Sequence, residues 1–156
     1  MALRNIVVEG EEILRKKCRE VDEVTDRIRL ILDDMVDTMH DAMGVGLAAP
    51  QVGIMRRMFV AEPEPGRLYY FVNPEITMME GSVEGDEGCL SVPGKGGVVA
   101  RPQKIIIKGL DRDGNPQEYT FEDFDARVMC HENDHLDGVL YIDKAIRMLD
   151  DEDLEE

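Results

Sequence analysis

Positive charge is scarce in this sequence: 18 Lys and Arg stand against 34 Asp and Glu in 156 residues, for a formal charge of −16. That balance disfavours tight, charge-driven contact with nucleic acid or anionic lipid, so no basic docking face and no membrane partner are expected. The acidic residues are scattered and serve solubility, apart from a run at Asp150-Asp151-Glu152-Asp153. Long hydrophobic runs are missing too. Nothing approaches the roughly 18 apolar residues of a membrane span, and the amino terminus reaches Glu9 before any apolar stretch develops, so a cytoplasmic protein is expected. Cysteine occurs only as Cys18, Cys89 and Cys130, an odd number without the spacing of a secreted disulfide scaffold. Reduced thiols are expected, at least one of them with another use. With no internal repeat or linker, and 43% hydrophobic residues, residues 1–156 suit one domain with its own core and a short acidic tail over about 149–156.

What is present falls into helix, strands and helix. From Asp26 to Ala42 the residues Ile28, Ile31, Leu32, Met35 and Met39 recur at steps of three and four, with Thr25 as N-cap, which predicts a long amphipathic helix. A glycine-rich turn comes next, then β-prone runs at Met58-Phe59-Val60, Tyr69-Tyr70-Phe71-Val72 and from Ile76 to Val83. Lys104 to Leu110 and Glu118 to Phe121 flank Asp111-Arg112-Asp113-Gly114-Asn115-Pro116, whose turn chemistry predicts an antiparallel hairpin. A second helical pattern begins near Asp123 and ends at Gly138. The fold class is therefore α+β: mostly antiparallel strands around a central helix, with the long amphipathic helix near the amino terminus.

That second helix carries the chemistry. His131-Glu132-Asn133-Asp134-His135 is an H-E-x-x-H sequence, and residues four apart on a helix share a face, so two imidazoles can grip one ion. Glu132 is turned about 100° from His131, which suits a general base acting on water better than a third ligand. Only three histidines occur, and two fall at this spacing. His40, at the end of the first helix, has no such context. A catalytic centre needs a third protein ligand and a vacant position. The metzincin continuation fails because Tyr141 stands where its third histidine belongs. A downstream carboxylate would have to come from the last 21 residues, mostly the acidic tail. Cys89, beside the small Gly88, is the other candidate. Cys130 points away from His131 and suits a buried position, as does Cys18. A dinucleotide reading of Gly44-x-Gly46-x-x-Ala49 fails in context, because a helix rather than a strand precedes it.

Three segments taken together, Gly44-Val45-Gly46-Leu47-Ala48-Ala49-Pro50-Gln51, Glu87-Gly88-Cys89-Leu90-Ser91 and His131-Glu132-Asn133-Asp134-His135-Leu136, resemble in order the signature motifs of peptide deformylases. The resemblance implies an enzyme that removes the formyl group from N-formylmethionine at the start of nascent peptides. It implies that Cys89, His131 and His135 bind one divalent ion, expected to be Fe(II), with Zn, Ni or Co able to occupy the site. Glu132 becomes the proton carrier, and the Gln51 amide with the Leu90 backbone N–H becomes the oxyanion hole. Val45, Phe124 and Val128 should line a pocket for an unbranched apolar side chain. Gly44 and Gly46 let the loop close on a small acyl group, and Glu87 is expected to pair with Arg101 near the cysteine loop.

The sequence departs from that pattern in places. Asn133 and Cys130 replace the apolar residue and the Gln that members commonly carry, and Cys130 is expected to raise sensitivity to oxidation. No basic residue in Val92-Pro93-Gly94-Lys95-Gly96-Gly97 clearly matches a substrate contact of some members. The last residues are acidic, so ribosome contact through a basic C-terminal helix is not expected.

Overall fold

The computed structural model describes residues 2–149, so the acidic run from Asp150 lies outside the described residues. After a 3-10 turn at Glu12–Arg15, helix α1 runs from Asp26 to Asp41, capped by the Thr25 hydroxyl accepting from Ile28 N–H at 3.3 Å. Strand β1 (Gly46–Ala48) leads through a 3-10 turn at Ala49–Val52 to β2 (Met58–Glu64) and β3 (Arg67–Glu80). Then come β4 (Val83–Cys89), β5 (Val92–Arg101), β6 (Lys104–Leu110) and β7 (Pro116–Glu122). Helix α2 (Asp123–His135), a short α3 (Tyr141–Lys144) and β8 (Arg147–Met148) complete the described chain. Pairing within the sheets is antiparallel, in the orders β1-β2-β3-β6-β7 and β4-β5-β8.

The five-stranded sheet is covered on both faces. Met58 and Val60 of β2 pack with Leu32, Met35 and Met39 of α1, whereas Phe59 and Ala61 face Ala126 and Met129 of α2. Alternate residues of a strand point to opposite faces, so a strand held between two helices must be apolar at every position, as Met58 to Ala61 is. Helix α2 thus lies inside the molecule. Its other side meets the three-stranded sheet, beneath which Leu14, Val92, Val99, Leu140 and Tyr141 form a third apolar cluster.

Several boundaries differ from those the sequence predicts. β3 continues past Pro74 to Glu80, because a bulge between Val72 and Glu75 absorbs the proline, with Asn73 in a left-handed conformation at φ 52°. The Gly46 segment, a turn by sequence, begins a strand, and β4 with β5 forms a hairpin the sequence did not announce. Helix α2 stops at His135, and Gly138 takes φ 76° in the turn beyond it. Among the described residues no helix is long and apolar enough to cross a membrane.

Candidate metal centre

Strand β4 delivers Cys89 at its end, and α2 delivers two imidazoles one turn apart. The Cys89 sulfur and one nitrogen from each of His131 and His135 lie within 4.8 Å of one another, with Cys89 Sγ 3.4 Å from His135 Nε2. Cys89, His131 and His135 are the only such cluster among the described residues. No downstream carboxylate among those residues joins them, and His40 sits apart, its ring 2.6 Å from Glu62.

The electrostatics of the cluster favour a cation. His131 Nδ1 lies 2.9 Å from Glu87 Oε1, so Nδ1 is committed to that hydrogen bond and Nε2 is the nitrogen left to bind an ion once its own proton is displaced. Burial lowers the His131 pKa, but hydrogen bonds to Cys89 and Glu87 outweigh it and raise the imidazole to about 10. His135 goes the other way, held well below the usual histidine range by burial and by the charge on His131. The pair therefore carries one positive charge between a sulfur and a carboxylate. A divalent cation on the sulfur and two imidazole nitrogens would supply that charge instead. One sulfur and two nitrogens, with a remaining side facing a cleft, is a donor set that fits a first-row ion in a catalytic rather than a closed site.

Glu132 is 4% exposed, and its Oε1 has no hydrogen-bond partner among the described groups. Burial pushes its carboxyl up to about 7, against the pull of His131. The backbone of β1 is cut to fit it: a Cβ on Gly46 would stand 2.8 Å from Glu132 Cδ and 2.9 Å from Cγ. Only glycine allows that approach.

Gln51 is buried and locked at both ends of its amide. Ala48 N–H donates to Oε1 at 2.9 Å, while Nε2 donates to Ser91 Oγ at 3.0 Å and lies 3.5 Å from Cys89 Sγ. The amide N–H group is thereby aimed at the cluster. Leu90 follows Cys89 in the β4–β5 turn and lines the same cleft, where a Cβ on Gly44 would strike Leu90 Cδ1 at 2.8 Å.

The cleft holds about 440 Å³ and brings together Val45, Phe124, Val128, Glu132 and His131. Val128 is buried and Phe124 is half exposed at the mouth. The Val45 carbonyl accepts from Glu62 N–H at 2.8 Å, which anchors the loop entering β1. Both strands flanking the cleft, β1 and β4, end their sheets.

Glu87 and Arg101 do pair, at 2.8 and 2.9 Å, both almost fully buried. Opposed by desolvation, the hydrogen bonds from Arg101 and His131 still hold Glu87 down at about 2. Sequence reasoning misses Ser91, which orients Gln51, and Arg127, which also binds Glu87, at 2.7 Å. Arg127 precedes His131 by four residues, so the helical period could have placed it on the metal face. Cys130 is buried, and desolvation raises its thiol to about 11, which argues against the oxidation sensitivity expected of it.

Comparison with known proteins places this geometry. Residues 3–150 match the family model described as polypeptide deformylase. Peptide deformylase of Caldanaerobacter subterraneus subsp. tengcongensis is 52% identical over 155 residues, covering 99% of this chain and 97% of that protein. The crystal structure of peptide deformylase from Thermotoga maritima superposes with a TM-score of 0.90 at 36% identity, covering 93% of this chain and 99% of that one. A peptide deformylase structure from Legionella pneumophila gives 0.89 at 40% identity, over 97% and 89%. Sequence and fold agree over nearly the whole length, and the chain belongs to the polypeptide deformylase family.

Proposed function

We propose that this chain hydrolyses the formamide bond of N-formylmethionine at the amino terminus of newly made polypeptides, releasing formate and a free amine. The observation that carries the reading is the convergence of Cys89, His131 and His135 within 4.8 Å, beside the buried carboxyl of Glu132, whose Oε1 has no hydrogen-bond partner among the described groups. Family membership implies a catalytic metal, and these three residues are its ligands, with Fe(II) as the physiological ion and Zn, Ni or Co as substitutes. A bound divalent ion supplies Lewis-acid polarisation of the formyl oxygen and makes water a nucleophile near neutral pH.

The chain's own groups do the rest. Glu132 accepts the proton of the attacking water and passes it to the departing amine nitrogen as the C–N bond breaks, so one carboxyl serves as base and then acid. The Gln51 amide and the Leu90 N–H stabilise the negative charge that grows on the formyl oxygen. Val45, Phe124 and Val128 receive the methionine side chain. Gly44 and Gly46 keep the loop close to a small acyl group, and the open edges of β1 and β4 bind the peptide main chain as an added strand, with little demand on later side chains.

The chain acts as one catalytic unit in the cytoplasm, consistent with three free thiols. Its charge of −16 favours diffusive capture of peptide amino termini over an RNA contact. Anaerobic purification with metal analysis, followed by turnover of formyl-Met-Ala-Ser, its acetyl counterpart and an internal peptide bond, tests the reading. Formyl cleavage should dominate and should be lost in Glu132→Ala. Faster cleavage of a non-formyl substrate, or equal activity of the two proteins, overturns it.

A further inference from the structure

One buried cation stands at the junction of the two elements that build the metal centre, and the proposed mechanism makes no use of it. Cys89 and Glu87 belong to β4, whereas His131 and His135 belong to α2. Arg127, one helical turn before His131, crosses between them. Its Nη1 donates to Glu87 Oε2 at 2.7 Å and to the Val99 carbonyl at 2.9 Å, and its Nη2 donates to the Val83 carbonyl at 2.7 Å. The same carboxylate accepts from Arg101 Nε and Nη2 at 2.8 and 2.9 Å, and its Oε1 lies 2.9 Å from His131 Nδ1. Four donors therefore surround one Glu87 carboxylate, the full complement of its lone-pair sites.

The strand backbone is shaped around this guanidinium. A Cβ on Gly85 would lie 2.8 Å from Arg127 Nη2 and 2.9 Å from Cζ. Arg127 also lines the cleft, yet only 8% of it is exposed and its terminal nitrogens already face protein acceptors. An incoming peptide carboxylate would have to break those bonds to reach it.

We propose that Arg127 is a positioning residue for the metal ligands: it fastens β4 to α2 and fixes Glu87, and through Glu87 the His131 ring, so that Nε2 meets the Cys89 sulfur and His135. It does not touch the reacting atoms. The proposal rests on the metal-centre reading above. Partners that orient a ligand from behind change metal affinity by about 10–100-fold when removed. Arg101 still holds Glu87 when Arg127 is lost, so the ring loosens and the site survives with weaker grip.

The test compares wild type, Arg127→Met, Arg127→Lys and Gly85→Ala, with Zn²⁺ as probe. Zinc dissociation constants come from chelator competition, thermal unfolding reports the fold, and kcat and KM are measured on formyl-Met-Ala-Ser and on an analogue with aspartate in third position. Arg127→Met and Gly85→Ala should each weaken zinc by about 10–100-fold, Arg127→Lys should recover part of the loss, and the ratio of the two KM values should not move. Zinc affinity within about threefold of wild type in folded Arg127→Met overturns the proposal. So does a rise in KM for the acidic peptide alone, which would make Arg127 a substrate contact. If Arg127→Met fails to fold, Gly85→Ala decides, since it keeps every donor and only displaces the guanidinium. Wild type that binds no zinc overturns the metal-centre reading and this proposal together, whereas wild type that binds zinc no better than Arg127→Met overturns this proposal alone.

Discussion

Replacing Gly46 by alanine isolates the placement of Glu132 from the integrity of the metal centre. The added methyl carbon would stand 2.8 Å from Glu132 Cδ and 2.9 Å from Cγ, against an ordinary carbon–carbon separation of about 3.5–4.0 Å. One side must therefore give by about 0.7 Å or more. β1 cannot move freely, because Gly46 is in register with Ala61 in the ladder to β2. Nor can α2, which is buried between two sheets. The yielding part is the Glu132 side chain, carried off the position assigned to it for proton transfer. Misplacement of a catalytic group by about 1 Å costs about a hundredfold in rate, or about 2.7 kcal/mol of transition-state stabilisation. The three atoms nearest the added methyl group all belong to Glu132 and none to Cys89, His131 or His135, so metal content should remain at the wild-type level. Formate release at saturating formyl-Met-Ala-Ser, with metal measured on the same sample, gives both numbers. A fully metallated Gly46→Ala enzyme turning over within about threefold of wild type would refute the assignment of the proton-transfer role to Glu132 as placed.

Gln51→Ala should lower kcat by about 10²–10³ without unfolding the protein, read by steady-state kinetics and thermal unfolding; retained turnover would remove Gln51 from the oxyanion hole. Iodoacetamide on the metal-free protein at neutral pH should label Cys89 far faster than Cys18 or Cys130, because burial raises both of the latter to about 11, and peptide mass mapping reads the order. Phe59→Ala should cost about 3–5 kcal/mol in denaturant unfolding, since its ring is fully buried and lies 5.3 Å from that of Phe71. Glu87 is depressed from 4.5 to about 2 in the folded chain, so its stabilisation is present above about pH 4.5 and is lost as pH falls toward 2. Acid unfolding of Glu87→Gln should lack that part of the pH dependence, and curves that run parallel down to pH 2 would contradict it.

The features legible in the sequence are those fixed by neighbours three or four residues away. Ile31, Leu32, Met35 and Met39 repeat with the period of α1, and His131 with His135 does the same for α2. The full length of β3 is hidden because Pro74 looks like a strand terminator, and only a bulge created by pairing with β6 tolerates it. β4 is hidden for a similar reason. Val83-Glu84-Gly85-Asp86-Glu87-Gly88-Cys89 has neither apolar alternation nor β-branched density, and its glycines answer demands from outside the strand, Gly85 from the Arg127 guanidinium. Arg127 itself looks like a solvent-facing charge on a charged helix until the β4–β5 hairpin is placed against it. Long-range geometry of that kind leaves no local trace.

The cleft borders differ in what they can specify, and that difference comes from topology. A strand at the end of a sheet offers main-chain donors and acceptors that read no side chain, and both β1 and β4 are such strands. On the proposed function, selection would therefore concentrate where the cleft is closed: at Val128 and the half-exposed Phe124, and at the buried carboxylate of Glu132 beneath Gly46. An enzyme that acts on many different nascent chains would be served by such a division, with the first residue and its acyl cap read more tightly than the later residues. The same topology gives a reason for the proposed metal ligands to be supported from behind. Cys89 arrives on an outer strand with a neighbour on one side only, and the missing neighbour is replaced by side chains: Arg127 and Arg101 binding Glu87, and Glu87 holding His131. On the proposed reading, the open edge that would admit the peptide is also what obliges the fold to anchor that strand through a buried charge network.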